Sequence, residues 1–271
     1  MRKALSILLS ALFIITLFNV QSVAQEEESE SGASVSLGTD LMSRYVWRGT
    51  QFSTGPSIQP CIEFSTGGLA IGTWGAFSYN GFDGAEADLY ISYTFVKDMF
   101  TVAVTDYFFP DETGTIANNY FEYDGDETGH VFEGSLSFNG TENLPLTFLF
   151  AANFYGADAK VIEDNPDSDD FNTAVGNQMS MYMELGYGFE VKDVALNVFA
   201  GFTPTKPKSA NDDTGYIGES GFYGDDMGFV NIGVTGSKDI EITDKFSIPV
   251  QASFITNPMA ENVFIVFGFS F

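Results

Sequence analysis

Apolar residues in this chain recur at every second position over short stretches and rarely at helical spacing. Side chains on a β-strand alternate between its two faces, so this period predicts strands with one apolar and one polar face. The first runs from Ser34 to Arg48. Val35, Leu37, Leu41, Tyr45 and Trp47 share one face, and Ser34, Ser36, Gly38, Asp40, Arg44 and Arg48 the other. From Ser57 to Thr66, Ile58, Ile62 and Phe64 oppose Gln59 and Glu63. Gly67-Gly68 turns the chain into Leu69 to Tyr79, with Leu69, Ile71, Phe77 and Tyr79 on the apolar face. From Ala85 to Phe95, Leu89, Ile91, Tyr93 and Phe95 oppose Glu86, Asp88, Ser92 and Thr94, and a short turn at Val96-Lys97-Asp98 leads to Phe100, Val102 and Val104.

The second half repeats the pattern. Phe132, Leu136 and Phe138 oppose Glu133, Ser135 and Ser137, and Leu146, Phe148, Phe150 and Phe154 oppose Thr147, Asn153 and Tyr155. Met179 to Phe189 alternates with Ser180, Tyr182, Glu184 and Gly186. Val194, Leu196, Val198 and Phe202 come next, then Val230, Ile232 and Val234, then Phe246, Ile248, Val250 and Phe254. With the strand that ends at Phe271, the chain holds roughly twelve segments of the length a tilted membrane strand needs.

Connection lengths separate this pattern from a soluble sandwich. The short connections are Gly67-Gly68, Val96 to Met99, Asn139 to Asn143 and Val191 to Asp193, with a longer one at Ser237 to Asp244. The long ones, Pro110 to Gly129, Gly156 to Gln178 and Pro204 to Asp226, alternate with them. Outer-membrane barrels alternate short periplasmic turns with long outer loops in this way. The expected fold is therefore all-β, a transmembrane antiparallel up-and-down β-barrel of about twelve strands with both termini in the periplasm. Tyr45 and Trp47 at the outer end, and Tyr187, Phe189, Phe269 and Phe271 at the periplasmic end, fall where membrane-interface aromatics are expected.

The two ends of the chain agree. Arg2 and Lys3 precede an apolar run over residues 4–19, and Ser22-Val23-Ala24 supplies the small residues of a cleavage site. This is the pattern of a signal peptide over residues 1–24, with an acidic periplasmic lead-in at 25–33 and the barrel at 34–271. Gln25, not cysteine, follows the cut, and Cys61 has no partner for a disulfide. A last strand ending on Phe271 is the expected contact for barrel-insertion machinery, and outer-membrane lipid and lipopolysaccharide are the expected surroundings.

Charge narrows the partners. Loss of Arg2 and Lys3 leaves nine basic residues against 37 acidic, about −28 for the mature chain. Nucleic acid is excluded as a natural partner for such a surface. The acids concentrate in the outer loops, among them Asp111, Glu112, Asp124 and Asp126, then Asp164 to Asp170, then Asp212, Asp213, Asp225 and Asp226. They offer hard oxygen ligands without the spacing of a known calcium loop, so loose divalent-cation bridging is the expectation rather than a metal centre. No cofactor is expected. The one histidine, His130, lies on the outward parity of its strand, opposite Ser135 and Ser137, and no Gly-x-Ser-x-Gly sequence occurs. The residues assemble no catalytic base and nucleophile, so an enzyme is not expected.

Interior chemistry falls on Arg44, Arg48, Glu63, Glu86, Asp88 and Glu184, the candidate pore-lining residues. Two arrangements fit them. Arginines can face carboxylates across a water-filled pore for small hydrophilic solutes or ions, or the same groups can pair and fill a narrow barrel that serves as a structural or adhesive scaffold. Gly186, Gly188, Gly201 and Gly233 at interior positions favour an open lumen.

Ser43-Arg44-Tyr45-Val46-Trp47-Arg48-Gly49, then Gly55-Pro56-Ser57-Ile58-Gln59-Pro60 and Gly68-Leu69-Ala70-Ile71-Gly72-Thr73-Trp74-Gly75, resemble the N-terminal signature of the TorF-type porin family. Ala87 to Phe95 and Asp106-Tyr107-Phe108-Phe109-Pro110 are similar to its next two blocks. The likeness covers about the first third of the mature chain. It implies a Gram-negative outer-membrane porin in which Arg48 and Trp74 occupy signature positions, with no catalytic residue.

Overall fold

The computed structural model describes residues 32–79, 85–110, 119–125 and 127–271. The signal peptide, most of the acidic lead-in, and Asp111, Glu112 and Asp126 lie outside them. Among the described residues sixteen strands form: β1 (Ala33–Met42), β2 (Val46–Trp47), β3 (Thr50–Gln51), β4 (Ser57–Thr66), β5 (Leu69–Ser78), β6 (Glu86–Phe95), β7 (Phe100–Phe108) and β8 (His130–Phe138). They continue as β9 (Leu146–Gly156), β10 (Lys160–Ile162), β11 (Ala174–Asn177), β12 (Met181–Val191), β13 (Val194–Thr203), β14 (Gly228–Thr243), β15 (Phe246–Asn257) and β16 (Asn262–Ser270). Twelve close into a barrel in which each strand pairs with its sequence neighbours, β1 with β4 and β9 with β12 across the inserted pairs. β2–β3 and β10–β11 are small separate hairpins.

Closure is made by β1 and β16 through Asp40↔Ser270, Leu41↔Phe269 and Met42↔Gly268. Thr39 and Phe271 extend the seam by exchanging backbone hydrogen bonds of 3.2 and 3.0 Å. The terminal residue is thus part of the seam, and its ring stays outside against Phe269.

Alternation has the expected sense. Val35, Leu37, Ile62, Ile91, Tyr93, Ile265 and Phe267 are exposed on the outside, while Asp40, Gln59, Asp88, Thr105, Glu133 and Glu184 are buried inside. An exterior this apolar exceeds the patches that soluble monomers tolerate and matches a hydrocarbon surround. The connections of two to seven residues after β4, β6, β8, β12 and β14 gather at one end, and the long ones after β1, β7, β9 and β13 lie at the other, with the short turn between β15 and β16. One turn is tighter than expected: β14 continues to Thr243, so Asp244-Lys245 alone joins it to β15. Tyr187 and Phe189 are exposed near the short-turn end of β12.

Several expectations are corrected. The first strand stops at Met42 instead of Arg48, and residues 43–56 turn inward. Tyr45 and Trp47 are 7% and 5% exposed and belong to the interior, not to an interface belt. A bulge in β9 between the pairs Phe132↔Tyr155 and Glu133↔Asn153 moves Tyr155 off the inner face, where its ring meets Phe132 at 5.9 Å. A bulge in β14 inserts Val230 between the residues paired with Gly201 and Phe202, and Val230 becomes fully buried. One extra residue reverses facing, because the strand period is two. Met179 has φ +53 and precedes β12.

Candidate functional site: the plugged lumen

Residues 43–56 leave β1 at the long-loop end and fold back into the barrel as the β2–β3 hairpin. Val46 pairs with Gln51 and Trp47 with Thr50 around the two-residue turn Arg48-Gly49. Arg48 (φ +48) and Gly49 (φ +78) are both left-handed, as a tight hairpin of this length requires. Glycine is needed at 49 for a second reason: a Cβ there would lie 1.8 Å from the Val230 carbonyl oxygen. Asn257 Nδ2 donates to the Gly49 carbonyl at 3.1 Å and fastens the tip to β15.

Arg48 is the centre of the plug. Its guanidinium forks onto Glu133 of β8, Nη2 donating to Oε1 at 2.9 Å and Nη1 to Oε2. Nη1 also donates to the Tyr223 hydroxyl at 2.6 Å, and Tyr107 donates to Glu133 Oε1 at 3.1 Å. The Trp47 and Tyr182 rings each lie 4.5 Å from the guanidinium carbon. A buried arginine is tolerable only with a paired carboxylate and satisfied donors, and both conditions are met. Around it Tyr45, Trp47, Trp74, Tyr107, Tyr182 and Tyr223 belong to one buried cluster with Val131 and Val230. Tyr223 comes from the long connection between β13 and β14, so a second outer segment reaches the plug.

The other expected interior residues are divided among separate arrangements. Glu184 Oε2 accepts from the Tyr182 hydroxyl and from Asn231 Nδ2, the latter at 2.8 Å. Glu86 and Asp88 are adjacent inward residues of β6, 3% and 1% exposed, and Arg48 turns to Glu133 instead of to them. Glu63 Oε2 accepts from the Tyr90 hydroxyl at 2.8 Å. Arg44 lies on the hairpin, not on a barrel strand, and donates to Gln51 Oε1 at 3.3 Å.

Glycines read as empty wall are partly occupied. A Cβ at Gly201 would lie 2.1 Å from the Tyr182 hydroxyl, and one at Gly233 2.5 Å from the Phe199 ring. Gly72 is covered in the same way by Tyr90, at 2.3 Å. Each ring lies over a glycine on a neighbouring strand, so these positions are ring sockets. Gly188 has open space around it.

Beneath the hairpin, toward the short-turn end, a cavity of about 150 Å³ remains. Arg44, Tyr45 and Trp74 bound it on one side, and it extends down to Ala195 and Ser237 near the short turns. Phe199, Ile255, Phe264 and Val266 form a second apolar cluster beside it.

At the opposite end the long connections are tied together. Lys160 Nζ donates to Asn177 Oδ1 at 2.8 Å and to the Gly125 carbonyl at 3.1 Å. Lys208 Nζ pairs with Asp164 at 2.9 Å, and Glu219 accepts from the Ile162 and Lys208 amides at 3.2 and 2.8 Å. Lys208 holds the Asp164 carboxyl below the usual aspartate range, chiefly by hydrogen bonding, and is itself raised. Among the described residues no three acids, histidines or cysteines converge as a metal site. His130 Nδ1 meets Asp106 Oδ1 and Nε2 meets the Tyr120 carbonyl, each at 2.7 Å. Both ring nitrogens are therefore engaged away from Ser135 and Ser137, which share the inward parity of β8.

Strand parity marks Glu133 as inward but does not connect it to Arg48. Tyr223 carried no signal, since it lies in a loop without periodicity. The Arg48-Gly49 pair between two aromatic-rich stretches was the available sign of a tight turn.

An apolar exterior, a closed antiparallel wall and a polar, aromatic-plugged interior define the protein as a transmembrane β-barrel of twelve strands. The chain belongs to the family described as "Bacterial protein of unknown function (Gcw_chp)", which matches residues 26–218. That description, not the TorF name, is what the family comparison supports. Among solved structures the chain is similar to BamA of Haemophilus ducreyi lacking POTRA domains 1–3, at 10% identity and TM-score 0.36, over 82% of this chain. It spans only 40% of that BamA chain. It is also similar to an outer membrane channel of Pseudomonas putida F1, at 14% identity and TM-score 0.41, over 93% of this chain and 98% of the other. At such low TM-scores neither likeness bears on function. A search of curated proteins finds no match.

Proposed function

We propose that the protein is an outer-membrane channel for small hydrophilic solutes or ions, held shut in this conformation by the hairpin at residues 43–56. The observation that carries the reading is the cavity beneath the plug, a space lined by polar strand residues and by aromatic and aliphatic side chains inside an apolar shell. In this reading both termini are periplasmic and the acidic loops form the outer vestibule. When the hairpin moves out, Arg44 and Arg48 leave with it, and Glu63, Glu86, Asp88 and Glu184 give the opened passage a negative wall. The excess of acid at the mouth favours cations entering from outside. No enzymatic step is part of the proposal.

The test is current across a planar bilayer from purified protein whose folding is established by heat-shift on a gel. Wild type is expected to show rare openings, and a chain with residues 44–55 replaced by a Gly-Ser linker frequent ones, with cation-selective reversal potentials in a salt gradient. A second reading, a permanently closed barrel that displays its loops, is favoured by the size of the aromatic cluster around Arg48. Silence from both inserted proteins would select it, and anion selectivity would remove the vestibule argument.

A further inference from the structure

The cavity beneath the hairpin has a wall chemistry of its own. One acid, Asp40, and one base, Arg44, border it, while the charge of Arg48 is already balanced by Glu133. The remaining polar residues are neutral amides and hydroxyls, chiefly Gln59, Asn197, Asn231, Thr235, Gln251 and Ser253. Trp74, Tyr45 and Phe199 add aromatic surface. Five buried atoms of these wall residues have no hydrogen-bond partner in the protein: Asp40 Oδ1, Arg44 Nε, the Tyr45 hydroxyl, Asn197 Oδ1 and Asn231 Oδ1. Buried polar atoms are nearly always satisfied, and these five belong to residues around a single cavity. Asn231 cannot turn to relieve its own, since its Nδ2 is committed to Tyr182 and Glu184.

We infer that this cavity binds a small uncharged polyhydroxylated molecule of about monosaccharide or cyclitol size. An engineered apolar cavity of about 150 Å³ takes up a six-membered ring, which sets the scale. Hydroxyls both donate and accept, so this ligand class suits a wall of amides and hydroxyls, which also do both. The ring's C–H faces pack on the aromatic side chains. A ligand with net charge finds only one opposite charge and a mainly neutral wall, a poor exchange for its hydration. The inference names the solute class of the site used in the channel reading, but binding does not require that the barrel conduct.

The chain has two tryptophans, Trp47 in the plug and Trp74 at the cavity, so intrinsic fluorescence reports on this space. Detergent-folded protein is titrated with D-glucose and myo-inositol, and separately with glycine and inorganic phosphate. A saturable change is expected for a neutral ring compound, with affinity of about millimolar order for so small a ligand. Trp74→Phe is expected to remove most of the signal. Asn197→Ala with Gln251→Ala should weaken binding about 30-fold, two ordinary hydrogen bonds' worth, while the heat-shift of the folded barrel persists. No saturable response from the folded wild type overturns the inference, as does a response to glycine or phosphate alone, or full affinity in the double variant. Conduction without binding removes this site and leaves the channel. Binding without conduction removes the channel and leaves the site.

Discussion

Replacing Glu133 by Gln is the most searching change the plug offers. The substitution keeps side-chain size and removes the charge that Arg48 faces. Arg48 would keep the Tyr223 hydroxyl and the two rings at 4.5 Å, but its cation would be buried without an anion. Breaking one side of a buried ion pair costs about 3–5 kcal/mol, and the surviving contacts put the expected loss near the lower end. This loss falls on the hairpin, because the Arg48–Glu133 pair joins residues 43–56 to the wall while every strand-to-strand ladder is left intact. The cheaper response is for the hairpin to leave the lumen. About 3 kcal/mol multiplies the released population roughly 100-fold. Single-channel recording should show that rise in open time, and a cysteine placed at Gln51 should react correspondingly faster with a soluble maleimide. The heat-shift band should be unchanged. Arg48→Met with Glu133→Leu removes both charges and is expected to restore much of the closed state. The reasoning fails if Glu133→Gln changes neither open time nor labelling, or if the double variant is as open as the single one.

Gly49→Ala should release the same hairpin, since a Cβ there overlaps the Val230 carbonyl and φ is +78. Gly67→Ala, also left-handed but with nothing within 4 Å, should cost only about 1 kcal/mol in a urea unfolding series and leave labelling at position 51 unchanged. Gly201→Ala is expected to destabilise the barrel by driving the Tyr182 ring from its socket, by about 1–3 kcal/mol, and adding Tyr182→Ala should make the two losses plainly non-additive in a double-mutant cycle. The Lys208–Asp164 tie should be complete between the ordinary aspartate and lysine values of 3.8 and 10.5. Because Asp164 is lowered, the tie is lost as pH falls through that lowered value. Because Lys208 is raised, it is lost again as pH rises through the raised one. Lower amide protection over residues 160–177 at low pH and at high salt, taken against the intrinsic exchange rate at each pH, would register this, and protection indifferent to both would refute it.

Most of the wall was legible from alternation because facing on a strand depends only on parity. Ile62 and Phe64 outside and Glu63 inside follow from the sequence with no knowledge of neighbours. Strand number and the sorting of turns followed from the same local signal. Parity failed at Tyr155 and Val230, where one unpaired residue reverses facing and the reason lies in the partner strand. The termination of β1 at Met42 was also hidden, since Tyr45 and Trp47 continue the apolar parity beyond it.

Period two and alternating loop lengths were therefore enough to specify the class of the protein, a closed wall with an apolar outside. What fills the wall depends on contacts between distant parts of the chain. Arg48 meets Glu133 across 85 residues of chain, Tyr223 arrives from a distant loop, and Gly201 and Gly233 are occupied by rings from neighbouring strands. Parity says that a side chain faces inward, but which inward side chains meet depends on barrel closure and on the path of a hairpin, and both are properties of the whole chain.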